Sequence, residues 1–303
     1  MRLEKEISGG RFERQPNRFT TRIEAGGEHP PEPGRYQIYA SYACPWAHRS
    51  LIVRELLGLR EVVGVTIVDP IRDEKGWRIP GGDPVTGVEY LSELYLATDP
   101  GYQGRYTVPC VWDITAGRMV TNDYPQITLT LETAFAPWHA EGAPDLYPRE
   151  LREEIDALNE VIFQGLNNGV YRAGFAHSQE AYDEAVTDVF ATLDLLEERL
   201  STRRRLHGDA LTESDVRLYP TLARFDAVYN SHFKCSVRRL SDYPVLWAYA
   251  RELHAIPAFR DTTDFDQIKR HYFVTQTNVN PSGIVPRGPE IDWTAPRGEA
   301  SVT

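Results

Sequence analysis

Cysteine is scarce, with only Cys44, Cys110 and Cys235 in 303 residues. These three are too few and too far apart for a disulfide framework, and none sits in a Cys-x-x-Cys or other zinc-type spacing. Reduced thiols and no metal are therefore expected, and any cysteine that acts does so without an internal partner. Long apolar runs are missing too. The longest, such as Val62 to Val68, are far shorter than a bilayer span. The start, Met1-Arg2-Leu3-Glu4-Lys5-Glu6, mixes charges where a secretory leader has a continuous apolar stretch. No membrane partner and a cytoplasmic address follow as expectations. Positive charge is in deficit, with 33 Lys and Arg against 44 Asp and Glu and a formal net charge of -11. Phosphate neutralisation needs clustered cations, so no nucleic-acid partner is expected. The one basic run, Arg203-Arg204-Arg205, reads as a solvated turn.

What is present is ordinary globular usage, 41% hydrophobic and 25% charged, which favours neither disorder nor a fibrous repeat. The length suits two domains better than one. Residues 1–34, with Gly9-Gly10, Gly26-Gly27 and the Pro-rich His29 to Gly34, lack periodicity and predict an extended N-terminal arm. Residues 35–136 predict a thioredoxin-like domain. A strand over Arg35 to Ala40, with Tyr36, Ile38 and Ala40 alternating against Arg35 and Gln37, meets a turn at Ser41 to Pro45. A helix follows from Trp46 to Leu57, stopped by Gly58, and then a buried β-branched strand, Val62 to Val68. Asp69 to Gln103 is a long Gly- and Pro-punctuated excursion, and loops of that length are usually functional. Arg105 to Asp113 and Met119 to Thr121 predict a hairpin, after which Asn122 or Asp123 caps a helix to about Phe135 with Pro125 in its first turn.

Residues 137–148 predict a linker and 149–275 an all-helical domain. Leu151 to Leu166 reads as one helix. Ser178 caps another, whose Tyr182, Val186, Val189, Phe190, Leu193, Leu196 and Leu200 form one core-facing stripe. Thr212-Glu213-Ser214-Asp215 starts a third with a capping-box pattern, and Pro220 inside it should bend it. Pro244 to Leu253 is one further helix. Residues 276–303, with Pro281, Pro286, Pro289 and Pro296, predict an irregular tail.

The chemistry concentrates at Cys44-Pro45-Trp46-Ala47-His48-Arg49, directly after a strand and before a helix. A sulfur there faces unsatisfied N–H groups and the positive end of the helix dipole, which favours thiolate over thiol, so its pKa is expected to fall. With no second cysteine three residues on, an external thiol must resolve any mixed disulfide. Val108-Pro109 is the companion feature. In thioredoxin-like folds such a proline is cis, and the residue before it offers its N–H and C=O to a cysteinyl ligand as a short β-ladder. His48, one turn into the helix, reads as packed or exposed rather than as a dyad partner, and Cys110 and Cys235 read as core.

The chain resembles the glutathionyl-hydroquinone reductases, also called xi-class glutathione transferases. The resemblance is carried in order by Ala43 to Arg49, Gly76-Trp77, Arg105 to Pro109, Asn167 to Ala176, Arg224-Phe225-Asp226, His232 to Cys235, Asp242-Tyr243-Pro244, Ile268 to Tyr272 and Asn280 to Pro286. It implies a thioredoxin-like domain followed by an all-helical one, dimers built through the helical domain, and reductive removal of glutathione from an aromatic ring. Cys44 would attack the sulfur of a glutathionyl-hydroquinone, the quinol would leave, and a second glutathione would attack the resulting mixed disulfide. Tyr171 falls on the substrate-side tyrosine, which protonates the departing carbon or holds its hydroxyl. Tyr229 and Tyr272 fall on positions that help depress the cysteine pKa. Trp77 would pack on the glutathione, and Arg105 and Val108, beside Pro109, would contact its backbone.

One stretch departs from the family pattern. Where the family has Asn-Glu-Ser to hold the γ-glutamyl end of glutathione, this chain has Asn122-Asp123-Tyr124-Pro125. Asp123 keeps an acidic role, Tyr124 is bulkier than Ser, and Pro125 removes an N–H donor. Arg outnumbers Lys 29 to 4, a bias common in GC-rich genomes, and some such bacteria use mycothiol, which has no γ-glutamyl group. The expected co-substrate is therefore glutathione or another low-molecular-weight thiol, with mycothiol a candidate. Two other functions fit a lone cysteine at a helix start less fully: a general dehydroascorbate or disulfide reductase, and a transferase-like interaction module with an inert Cys44.

Overall fold

The computed structural model describes residues 6–294. Met1 to Lys5 and the end of the tail from 295, Pro296 with it, lie outside the described residues. The chain divides into two compact units. Gln15–Pro144 with Asp266–His271 form one, and the residues up to Arg14 with Asp145–Phe265 and those from Tyr272 onward form the other.

The arm expected at 1–34 contains regular structure. β1 (Ile7–Ser8) and β2 (Arg11–Phe12) pair as a hairpin, Ile7 opposite Phe12, around Gly9 and Gly10 at φ 54° and 78°, backbone that favours glycine. Two-residue strands are too short for alternation to show in the sequence. The hairpin belongs to the helical unit, where Phe12 packs on Phe175 at 5.2 Å between ring centres.

The sheet unit follows the predicted order. β3 (Tyr36–Ala40), α1 (Pro45–Leu56), β4 (Gly64–Ile67), α2 (Leu91–Thr98), β5 (Cys110–Asp113), β6 (Arg118–Thr121) and α3 (Tyr124–Thr133) form a four-stranded sheet in the order β4-β3-β5-β6. β3 runs parallel to β4 and antiparallel to β5. As the central strand, β3 is buried at every position, including Gln37, whose amide donates to Thr66 Oγ1 at 2.8 Å. A buried amide must find such a partner. α1 and α3 pack together.

Two expectations change here. The excursion after β4 is not a bare loop, since it contains α2. Arg105 to Pro109 is not a strand either, because its backbone groups bond to side chains rather than to a neighbouring strand. α10 (Phe265–Thr275) is divided between the units, Asp266–His271 going with the sheet.

The helical unit holds α4 (Arg152–Ile162), α5 (Gly169–Gly174), α6 (Gln179–Ser201), α7 (Glu213–Arg224), α8 (Pro244–His254) and α9 (Pro257–Arg260). Ser178 caps α6, its hydroxyl accepting from Ala181 N–H at 3.2 Å, and Val189, Phe190, Leu193, Leu196 and Leu200 of the predicted stripe are buried. The single helix expected over Leu151 to Leu166 ends at Ile162. There the backbone widens into a π turn, Phe163–Asn167, closed by Asn168 N–H to Phe163 C=O at 2.8 Å. α7 runs unbroken through Pro220 to Arg224 and then makes a second π turn, Phe225–Tyr229. Both π turns lead into tyrosines singled out above, in keeping with the association of such turns with functional sites.

Candidate thiol site and tyrosine cluster

Cys44 occupies the N-cap position of α1 with extended backbone, φ −82° and ψ 119°, and Pro45 follows at the first helical position. Its N–H bonds Ser41 C=O at 3.1 Å, and its C=O accepts from His48 N–H at 2.9 Å, so the turn from β3 delivers the thiol to the start of the helix. Ser41 Oγ accepts from Ala43 N–H at 3.2 Å and tightens that turn. The side chain is 9% exposed. Its Sγ lies 3.3 Å from Val108 C=O, to which the thiol donates. Val108-Pro109 is cis, as expected. Sulfur and carbonyl, 64 residues apart in the chain, meet because β3 and β5 are paired, Tyr39 opposite Cys110.

The segment before Pro109 is fixed almost atom by atom. Arg105 N–H donates to Gln15 Oε1 at 2.9 Å, and Arg105 C=O accepts from Tyr102 OH at 2.7 Å and from Gln15 Nε2 at 3.2 Å. Tyr106 C=O accepts from the Trp77 indole N–H at 3.1 Å. Thr107 N–H donates to Tyr95 OH at 3.2 Å, while Tyr95 OH donates to Thr107 C=O at 2.8 Å. Asn122 Nδ2 reaches Thr107 Oγ1 at 3.2 Å. Both backbone groups of Arg105 and of Thr107 and the C=O of Tyr106 thus have partners, whereas the N–H of the buried Val108 has none among the described residues. A buried backbone N–H in that condition is rare and is a position for a ligand.

Trp77 is 3% exposed, stacked on His271 at 5.1 Å with 11° between the planes, and the Arg72 guanidinium lies 5.0 Å from its ring centre. Its bond to Tyr106 makes it a support of the Val108 segment. Asp123 stands at the N-cap of α3 without capping it; its Oδ1 accepts from Asn17 Nδ2 at 3.2 Å, and the helix begins on backbone bonds from Gln126 and Ile127 to Asp123 C=O. The Tyr124 ring packs on Trp46 at 4.6 Å, and the Arg49 guanidinium lies 4.7 Å from the same indole. His48 is fully buried.

In the helical unit, the π turns bring Tyr171, Tyr229 and Tyr272 together. Tyr272 OH is hydrogen-bonded both to Tyr171 OH and, at 3.0 Å, to Tyr229 OH. Phe175 and Phe233 pack against Tyr171 at 6.0 and 5.3 Å. Arg14, bonded through Nε to Asn168 Oδ1 at 3.1 Å, lies 5.0 Å from the Tyr171 ring centre. Burial holds the phenols of Tyr229 and Tyr272 well above the ordinary tyrosine range, so both are neutral hydroxyls at physiological pH.

Gln15, Tyr95, Tyr106, Asn168 and Arg14 were not visible as site residues in the sequence. Gln15 and Tyr95 bond backbone elsewhere in the chain, Tyr106 accepts from Trp77 through its own C=O, and Arg14 bonds the Asn168 side chain 154 residues away, none of which their own spacing signals. Among the described residues no group of three or more His, Cys, Asp or Glu side chains could hold a metal ion, and no helix is long and apolar enough to cross a membrane.

Comparison with known proteins follows the same lines. Residues 179–252 match the family described as glutathione S-transferase, C-terminal domain. The chain is 47% identical over 287 residues to the glutathionyl-hydroquinone reductase PcpF of Sphingobium chlorophenolicum, covering 93% of this chain and 91% of the relative. Among solved structures, the xi glutathione transferase of Phanerochaete chrysosporium superposes with a TM-score of 0.90 at 44% identity, covering 94% of this chain and 99% of that one. The glutathione-bound structure of YqjG, a glutathione transferase homolog from Escherichia coli K-12, gives 0.88 at 44% identity over 92% and 95% of the two chains. With identity of this order along nine-tenths of its length, this chain belongs to the glutathionyl-hydroquinone reductase, or xi-class glutathione transferase, family.

Proposed function

We propose that this protein is a thiol-dependent reductase that removes a low-molecular-weight thiol from an aromatic hydroquinone conjugate through a mixed disulfide at Cys44. The observation that carries it is the pairing of Cys44 Sγ, 3.3 Å from Val108 C=O, with the unpartnered Val108 N–H. As a thiol, Cys44 occupies the carbonyl; once ionised it has no proton to donate, and both Val108 groups are open to the cysteinyl part of an incoming ligand. Nucleophile formation and ligand binding are thereby coupled.

The thiolate attacks the sulfur of the aryl thioether. An S–S bond forms, the C–S bond breaks, and its electron pair goes to the ring carbon, which takes a proton and leaves as hydroquinone. The sulfurs are oxidised to a disulfide and the ring is reduced. A second thiolate then attacks the mixed disulfide, releasing the oxidised thiol and Cys44. In this reading Tyr171 delivers the proton, and its hydrogen bond to Tyr272, itself bonded to Tyr229, supports a group that gives up a proton and is resupplied. Arg105, Pro109 and Trp77 frame the Val108 segment. PcpF is named for this reaction. The partners in this reading are an aromatic thiol conjugate and a second copy of the chain, dimerised through the helical domain, in the cytoplasm. Cys44→Ser should abolish release of thiol from a glutathionyl-hydroquinone; turnover above a few per cent would sink the mechanism.

A second reading concerns which thiol is used. Tyr124 is held against Trp46, Pro125 supplies no N–H, and the Asp123 carboxylate is shared with Asn17. A γ-glutamyl carboxylate would find fewer donors here, which supports a thiol lacking that group, such as mycothiol. Reduction of the Cys44 mixed disulfide by glutathione and by mycothiol, at equal thiolate concentration, tests this. A clear preference for glutathione refutes it.

A further inference from the structure

Between β4 and α2 the chain folds back on itself as a long closed loop. Leu91 N–H bonds Trp77 C=O at 2.9 Å at its base, Ile79 N–H bonds Glu89 C=O at 2.8 Å, and Asp83 and Val88 pair at 2.8 Å near the tip. The loop carries Trp77 on one arm and leads into α2, and hence Tyr95, on the other. Both side chains hold the Tyr106–Thr107 backbone.

The loop is fastened to the sheet at Asp83. This carboxylate is 4% exposed, and its two oxygens accept from donors on three separate segments. Tyr39 OH on β3 donates to Oδ2 at 2.6 Å, Thr66 Oγ1 on β4 donates to Oδ1 at 3.0 Å, and Thr86 in the loop donates both its N–H, at 2.9 Å, and its hydroxyl to Oδ2. Thr66 is itself oriented by Gln37 Nε2 at 2.8 Å. Tyr39 pairs in register with Cys110, the residue directly after Pro109. The elements that hold the Tyr106–Cys110 segment from its two ends therefore meet at one carboxylate. Burial works to raise the Asp83 carboxyl, but the bonds from Thr86, Tyr39 and Thr66 outweigh it and hold it below the ordinary aspartate value, so it stays ionised and accepts from all of them. Charged acceptors bind such donors about twice as strongly as neutral ones.

We propose that Asp83 is a positioning residue for the thiol site, fixing the 77–91 loop against β3 and β4 and through it the backbone that presents Val108 to the incoming thiol. This rests on the reading of Cys44 and Val108 as that site. Asp83 touches neither thiol nor substrate; it acts through Trp77, Tyr95 and Tyr39.

The test uses the full chain with Asp83→Asn, which keeps the size and removes the charge. With glutathione as the probe thiol reducing the Cys44 mixed disulfide, KM should rise by about tenfold and kcat stay within about twofold, as for a lost ground-state binding geometry. The pH profile of Cys44 alkylation should move only slightly, because the start of α1 that faces the sulfur does not touch Asp83 and only the contact of the thiol with Val108 C=O is loosened. Amide exchange at 105–108 should quicken while α6 keeps wild-type protection. Asp83→Glu should recover part of the loss. If Asp83→Asn does not fold, Tyr39→Phe and Thr86→Val each remove one donor and should give smaller rises of the same kind. Unchanged KM with unchanged exchange at 105–108, or a fall in kcat together with a strongly shifted alkylation profile, overturns the proposal. A wild-type protein without thiol-dependent turnover would refute the reading of the site, and the exchange measurement would still decide whether Asp83 holds 105–108.

Discussion

The three cysteines have the same side chain in three different surroundings. Cys110 and Cys235 are completely buried, and burial pushes both thiols up, Cys235 to about 12, so neither forms appreciable thiolate at neutral pH. Cys44, 9% exposed, sits at a helix start where the unsatisfied N–H groups favour thiolate. Iodoacetamide at pH 8 should therefore label the native protein once, Cys44→Ser not at all, and the denatured wild type three times, counted by intact mass; two labels on the native protein would show that burial does not silence the other thiols. Because the change keeps the volume nearly constant, Cys44→Ser should alter stability by no more than about 1 kcal/mol. Tyr171→Phe makes a different separation. Only cleavage of the aryl thioether needs a proton on carbon, so this variant should slow release of hydroquinone by on the order of 10²-fold while reduction of a simple mixed disulfide changes little. Equal losses on both substrates would reduce Tyr171 to a wall of the site.

At the scale of single elements, the start of α7 shows what a legible signal looks like. Thr212 and Asp215 form the predicted box, Asp215 Oδ2 accepting from Thr212 N–H at 2.8 Å and from its hydroxyl at 2.9 Å. The structure adds two partners, Leu206 N–H at 3.2 Å and Tyr249 OH at 2.6 Å, both on Oδ1. Asp215→Ala removes a cap and strands buried donors, so it should cost about 3 kcal/mol or more, read as a fall in the urea midpoint. A loss under about 1 kcal/mol would mean water replaces the carboxylate. The same contrast runs through the chain. β3, Cys44, Pro45 and α1 are readable because each rests on neighbours within a few residues: alternation, a turn, a helix start. α2 is not, since its eight residues lie inside a Gly- and Pro-rich stretch, and its start is secured by Glu93 Oε1 accepting from Tyr90 N–H at 2.9 Å, with no Ser, Thr, Asp or Asn cap to announce it. Arg105 to Pro109 reads as strand by residue type, yet its partners are Gln15, Trp77, Tyr95 and Tyr102, up to 90 residues away. Local pattern shows where the backbone is regular, and irregular backbone held by distant side chains leaves no local trace. Such backbone surrounds Val108, which is why Cys44 was legible and its supports were not.

For the molecule as a whole, buried histidines set the acid limit of stability. His232 and His254 are 5% and 9% exposed; burial lowers both to about 4 from an ordinary 6.5, with His232 Nε2 at 2.9 Å from Gln276 Oε1 and His254 Nδ1 at 2.7 Å from Tyr219 OH. A depressed histidine is neutral in the fold while the unfolded chain is already protonated. Between pH 6.5 and 4 the unfolded state thus binds more protons, and stability rises with pH across that window and falls as pH is lowered through it. Each shift corresponds to on the order of 3 kcal/mol. Asp113 acts lower down. Burial works to raise its carboxyl, but Arg35 and His29 bond it and hold it at about 2, so its contribution is present above 3.8 and is lost only as pH falls from there toward 2. The order of events is therefore histidines first, carboxylate second. Urea midpoints at constant ionic strength should be flat from pH 8 to 7, fall steadily from 6.5 to 4.5, and fall further below pH 4. A double variant, His232→Gln with His254→Gln, should lose most of the slope between 6.5 and 4.5 while keeping the drop below 4. A wild-type midpoint that stays flat from pH 7 to 4.5 would show that both imidazoles accept protons in the native fold.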